Sequence, residues 1–351
     1  MFRNYSFESK SEKHSFDINQ VDLSIVNGIR RTILTDIPVV GFIGEEEPTV
    51  NIIANNGPLH NEILIHRIGL IPLNISDDDT ENYQDDLEFE LNIENNGNDM
   101  INVTTNHITG TKAGIPITKK ELSEIFPANP ISKSHILITR LRPNEYLHFN
   151  AKAVKKTARF NASFSPVSLS NFYYIQDQEK SNKEENILEK ERLYKKNKYG
   201  DPISIKFELE SINKLTYNYL FVKAIEIIID KLNVLRDNLI NDIIKIEKFQ
   251  ELDNTFDFYI DNEDDTLGNI IQSLLHNKYI RDNKKATNDI KCLYIGYICP
   301  HPLKYLLVLR LTLENQTNKK AFNNFLESNC GMIIEELNNI KREWNLFASK
   351  K

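Results

Sequence analysis

The chain has 351 residues, 40% hydrophobic and 26% charged, an ordinary globular composition long enough for two or three domains that bury cores without staples. Its net charge of −7 argues against a protein whose main task is gripping DNA, because phosphate neutralisation calls for a basic balance. Cys292, Cys299 and Cys330 form no CxxC pair, so they fit neither a disulfide framework nor a cysteine zinc site, and they point to a reducing compartment. The polar opening, residues 1–13, is unlike a secretory signal, and no apolar run nears the ~20 residues needed to span a bilayer.

The first predicted helix covers 22–37, with Leu23, Val26, Ile29 and Ile33 on one face, Asp22 at its start and Pro38 at its stop. A short helix over 59–68 follows Pro58 and ends at Gly69. Strand-like runs at 87–93, 100–105, 135–141 and 146–154 then alternate with Asn, Gly and Pro clusters, which reads as a separate β-rich domain over 76–176. Residues 177–201 are mixed charges with few apolar positions, an exposed helix or linker. A strand over 203–209 leads to a long helix over 215–246, striped by Leu220, Ala224, Ile228, Leu235 and Leu239.

The plan then repeats. Phe256, Phe258 and Ile260 alternate as a strand, and Leu267, Ile270, Ile271, Leu274 and Leu275 mark a helix over 266–275 capped by Asp264 or Asp265. Strands at 292–298 and 305–313 precede a final helix over 318–347. Its stripe is Phe322, Leu326, Ile333, Leu337, Ile340, Trp344 and Phe347. So long a stripe needs a long partner, and the helix at 215–246 is the candidate. Two units of one type, the first interrupted by the β-rich insert, predict a pseudo-symmetric dimer in one polypeptide, with association made intramolecular.

Four segments carry a resemblance. Val26-Asn27-Gly28-Ile29-Arg30-Arg31-Thr32-Ile33-Leu34 with Ile37-Pro38 resembles the A-N-A-L-R-R-I-L…P helix of alpha-like RNA polymerase subunits. Residues 61–72, with Glu62, His66-Arg67-Ile68-Gly69-Leu70-Ile71-Pro72, resemble the E-x-x-x-H-R-I-G-L-I-P segment of the third subunit of polymerase II. Residues 263–269 are similar to the E-D-H-T-L-G-N of the eleventh subunit, as are Gly296-Tyr297 with His301-Pro302-Leu303 to its G-Y-x-x-P-H-P-L. Ser165-Pro166-Val167 matches a third-subunit element. The insert lacks the cysteine zinc loop often found in eukaryotic members, and nothing corresponds to the bacterial C-terminal DNA-binding domain.

The resemblance implies an α+β chain. A third-subunit-like dimerisation domain (1–75 and 202–247) would pair with an eleventh-subunit-like one (248–351), with the insert and linker between. It implies a non-catalytic assembly platform of a DNA-directed RNA polymerase, without cofactors. Its partners would be the largest and second-largest subunits and small subunits of the tenth-subunit type. DNA would be met only through the complex, and neither a membrane nor a homodimer is expected. Fusion of the two types further implies a large cytoplasmic DNA virus, its cytoplasmic factory and its virion. Arg30, Arg31, Glu62, His66 and Arg67 are the implied partner contacts. Val26, Ile29, Ile33, Leu235, Leu239, Leu267, Ile270, Ile333, Leu337, Ile340 and Trp344 are the dimerisation residues, at an interface of the obligate class, over ~2,000 Å².

Other constellations read as bland. His60 and His66 lack the H-E-x-x-H spacing of a zinc helix. Asp77-Asp78-Asp79 reads as a solvated turn, and the acidic residues at 261–265 lack calcium-loop spacing. Lys152, Lys155, Lys156 and Arg159 beside Phe160 and Phe164 form a small basic cluster, solvated rather than nucleic-acid-binding. No phosphate loop or nucleophilic triad is present. Two alternatives stay open: an enzyme built from scattered His and Asp, and a DNA-binding or interaction module unrelated to polymerase assembly.

Overall fold

The computed structural model describes residues 1–9, 12–282 and 290–350. In chain order a hairpin, β1 (Phe2–Glu8) and β2 (Lys13–Asn19), leads to α1 (Leu23–Thr35). Next come β3 (Val39–Gly41), β4 (Val50–Asn55), α2 (Asn61–Gly69) and α3 (Asp77–Glu81). They are followed by β5 (Leu87–Glu94), β6 (Ile101–Thr104), β7 (Thr109–Lys112), β8 (Ile115–Pro116) and α4 (Lys119–Ile125). The run continues with β9 (Leu137–Leu141), β10 (Tyr146–Lys152), β11 (Val154–Lys156) and β12 (Val167–Tyr174), then the short α5 (Gln178–Ser181) and α6 (Ile187–Arg192). After β13 (Ser204–Ser211) and α7 (Tyr217–Ile240) come β14 (Lys245–Lys248), β15 (Thr255–Asp261) and α8 (Asp265–Leu275). Helix α8 runs into a π-helical turn at His276–Arg281, and β16 (Cys292–Ile298), β17 (Leu306–Leu313) and α9 (Lys319–Ala348) close the chain.

These residues divide into two compact units. The first comprises Met1–Ile33, Leu169–Leu209 and Leu220–Lys351. It holds two four-stranded sheets, ordered β1-β2-β13-β12 and β14-β15-β17-β16. The two orders are the same when each strand is matched by its place in the repeat: hairpin strand, strand, helix, edge strand, inner strand, long helix. The duplicated α+β unit foreseen from the sequence is therefore present. Its long helices lie antiparallel. Asn323 Nδ2 donates to the Leu239 carbonyl (2.8 Å), Arg236 faces Glu327 (3.5 Å), and Lys341 reaches Glu226 (2.6 Å). Leu235, Leu239, Ile333, Leu337, Ile340 and Trp344 are all buried. Trp344 stacks on Phe221 (ring centroids 4.1 Å) and meets Phe16 (4.6 Å) and Phe2 (5.0 Å), so α9 of the second half closes the core of the first half's sheet.

The second unit comprises Leu34–Ser168 and Glu210–Tyr219. Its five-stranded sheet is ordered β4-β10-β5-β7-β8, beside the pairs β11-β3 and β6-β9. Alternation in β5 sends Leu87, Phe89 and Leu91 inward and Glu88, Glu90 and Asn92 outward, as a half-buried strand requires. The boundary differs from the expected 76. Val40, Phe42, Leu64, Ile68, Ile71 and Leu73 enter the same core as Phe89 and Phe149, because β4 pairs with β10 and β3 with β11.

Three further differences have local causes. The helix foreseen to 246 ends at Ile240, because Asp242 adopts a left-handed φ of 54° and Lys245–Lys248 pair with β15. The strand expected over 146–154 is split at Ala153. The segment 177–201, expected as an exposed helix or linker, forms two short helices, α5 and α6, and is tied down at its end: Tyr199 Oη donates to Asp282 (2.6 Å), Asp201 pairs with Arg281, and Arg281 stacks on the Tyr199 ring.

Candidate subunit interfaces

Within the first unit, α1 crosses α8. Asp22 Oδ1 accepts from the Ser24 N–H (2.8 Å), and Asp264 Oδ1 accepts from the Thr266 N–H (2.8 Å), so each helix begins on an aspartate cap. Each cap also meets the other helix or its extension. Asp22 accepts from Ser273 Oγ (3.0 Å) and Asn277 Nδ2 (2.7 Å); Asp264 lies 4.0 Å from Arg31, whose Nε donates to Thr266 Oγ1 (2.9 Å). The contacts run in opposite directions along the pair, as a two-fold arrangement demands. Between them Gly28 meets Ile270, and Val26, Ile29, Ile33, Leu267 and Ile270 are buried.

Arg31, foreseen as a partner contact, thus spends part of its guanidinium inside the pairing of the halves. Arg30 donates through Nε to Asn27 (3.1 Å), with burial and neighbouring Arg31 lowering its pKa from the ordinary arginine value. The clasp of Asp22 with Ser273 and Asn277 was not foreseen. Its signal was a glycine in mid-helix, where only a close approach repays the lost helix propensity.

In the second unit, α2 carries Glu62, His66 and Arg67. Glu62 is exposed, and His66 Nε2 faces Glu45 (3.4 Å). Arg67 donates to the carbonyls of Ile138 (3.1 Å) and Leu137 (2.9 Å), anchoring β9 with donors a sheet end would otherwise lack. Ile63 on the helix and Leu70 just past its end are exposed, at 48% and 57%. Gly69 is needed for packing: a Cβ there would fall 2.7 Å from the Gly44 Cα.

The remaining constellations have structural occupations. The acidic triplet, expected as a turn, opens helix α3. Asp79 is fixed by Ser76, and Asp77 accepts from the Thr216 N–H (3.0 Å) and Oγ1 (2.7 Å). Lys155 donates to the Glu81 carbonyl, Lys156 covers the Phe160 ring and Arg159 pairs with Asp36. His301 Nδ1 accepts from the Leu303 N–H in a turn. Burial pushes the Cys292 and Cys330 thiols up to about 12, away from nucleophilic chemistry. Among the described residues no three His, Cys, Asp or Glu side chains gather as a metal-holding group, and no helix is long and apolar enough to cross a membrane.

The profile of the RNA polymerase Rpb3/Rpb11 dimerisation domain matches residues 15–232, and a second profile of the same description matches residues 255–343. The chain belongs to the RNA polymerase Rpb3/Rpb11 dimerisation-domain family. It is 27% identical over 181 residues to the human "DNA-directed RNA polymerases I and III subunit RPAC1", covering 46% of this chain and 51% of that protein. It is 26% identical over 179 residues to the Dictyostelium discoideum "DNA-directed RNA polymerase II subunit rpb3" (48% and 56%). Against the Arabidopsis thaliana "DNA-directed RNA polymerases II, IV and V subunit 3" it is 24% identical over 184 residues (48% and 56%). The chain spans about half the length of these curated relatives. The second Rpb3/Rpb11 match runs from β15 into α9, which is the second copy of the repeated unit without its first strand, β14.

Proposed function

We propose that the chain is a non-catalytic assembly platform of a multisubunit DNA-directed RNA polymerase. The observation that carries this reading is the duplicated unit, with α1 clasped to α8 and α7 lying along α9. Such a pair is a rigid scaffold whose outer residues are left for other chains. The partners are the largest and second-largest polymerase subunits and a small subunit of the tenth-subunit type. In the second unit Glu62, His66 and Arg67, with Ile63 and Leu70, are the contacts to the second-largest subunit; in the first unit the contacts are Arg30 and the exposed part of Arg31. A fused third-plus-eleventh chain fits a cytoplasmic DNA virus, its factory and its virion, and its partners would then be viral.

The test is purification of the tagged chain from its native source, with mass spectrometry of what accompanies it. Both large polymerase subunits are expected in near-stoichiometric amount. Glu62→Lys with Leu70→Asp, both at exposed positions, is expected to deplete the second-largest subunit while leaving the chain folded. Recovery of the chain without either large subunit would end the platform reading.

A further inference from the structure

The second unit carries a groove of about 610 Å³ bounded by α3, the turn after it, the β7–β8 hairpin and α4. Its floor is the open margin of the unit's core, where Tyr83, Ile117 and Ile125 pack half-buried against it. Ile115, on the two-residue edge strand β8, is 71% exposed. Helix α4 has no fully buried residue; its Leu122 and Ile125 pack half-buried against the margin of the core, and Ile125 also lines the groove.

The rim is acidic. Lys112 lies 3.4 Å from Asp79 and Lys214 lies 3.5 Å from Glu124, so both rim lysines are matched by rim carboxylates. Asp86 and Glu121 add two further carboxylates at the mouth, Glu121 held by the Thr118 N–H and hydroxyl at the α4 cap and lying near Lys112 and Lys120. An anionic ligand is repelled by this rim, and a wholly apolar one leaves the carboxylates facing it. An apolar floor inside a charged rim is the layout of a protein interface, and the sign of the rim chooses the partner.

We propose that this groove docks a short basic amphipathic segment of a partner protein. Its apolar side chains cover Ile115, Ile117 and Ile125, and its Lys or Arg side chains meet Asp86 and Glu121 through charge-assisted hydrogen bonds. Burying Ile115 supplies the hydrophobic part of the affinity, and the carboxylates supply orientation and rejection of acidic segments.

The test titrates the full chain against a fluorescent 14-residue peptide of alternating Leu and Lys, with a Leu/Glu peptide of equal length as counterpart. The Leu/Lys peptide is expected to bind and the Leu/Glu peptide to fail. Ile115→Ser, and separately Asp86→Asn with Glu121→Gln, should each weaken binding about fivefold or more. The glutamine side chain preserves the helix-capping role of Glu121. Glu184→Gln with Glu185→Gln removes the same charge elsewhere and should leave binding within about twofold. Equal loss in that control, indifference to Ile115→Ser, or equal binding of the Leu/Glu peptide overturns the proposal. So does a dimer in sedimentation that Ile115→Ser abolishes, since the occupant is then a second copy of the chain.

Discussion

Gly28 lies directly against Ile270: a Cβ on Gly28 would sit 2.6 Å from the Ile270 Cδ1. The two residues mark the place where the first helix of each half crosses the other. The Asp22 and Asp264 caps on either side fix the angle at which they cross.

Gly28→Leu is expected to lower the melting temperature. Filling this contact costs about 1–3 kcal/mol of overpacking, while the helix gains under about 1 kcal/mol in propensity, so the loss wins. Adding Ile270→Ala should recover much of the stability by returning the space. Calorimetry of both variants checks this, and an unchanged melt for Gly28→Leu would mean that α1 and α8 do not pack here.

Trp344→Ala is expected to cost about 3–5 kcal/mol, because a fully buried indole leaves a cavity between Phe16, Phe221 and Phe2. Trp344 is the single tryptophan, so fluorescence of the native protein follows this cluster directly. Denaturant unfolding of the native chain should shift its emission to the red in the same transition that removes helix circular dichroism. A separate, earlier fluorescence transition would show that the two halves melt independently.

Burial, and after it the Asp22 carboxylate, raises the Glu336 pKa above its ordinary value. Between its ordinary and its raised value the folded state keeps a proton that the unfolded chain has released. Stability from this group is present below the ordinary glutamate range. It falls as pH rises from that range through the raised folded pKa. Glu336→Gln should be more stable than the native chain near neutral pH, with the difference vanishing below about pH 4. Urea midpoints of the two proteins at acid and neutral pH measure this; a constant difference at both would contradict it.

How much was legible in advance depended on whether the deciding contact was local. Helix α8 was readable because its stripe and its aspartate cap lie within a dozen residues. Helix α7 was drawn too long because Ile243, Ile244 and Ile246 continue an apolar rhythm that a single left-handed residue, Asp242, interrupts. The opening hairpin was missed because β1 is mostly exposed and β2 is buried on successive residues, so neither alternates. The boundary of the second unit rests on the pairing of β4 with β10, which neighbouring residues do not announce. At the motif positions, the bonds these side chains make within the chain were not legible. Arg31 and Arg67 each make bonds to residues far along the chain, and spacing carries no trace of such partners.

Arg31 and Thr266 are 235 residues apart in sequence. On a ribosome adding about 5–20 residues each second, α1 emerges on the order of 10–50 s before α8 exists to cover it. Throughout that interval Gly28 waits for Ile270, and Arg31 waits for Thr266 and Asp264. The crossing is therefore completed only after nearly the whole chain has been made, and slower translation of the second half lengthens the wait.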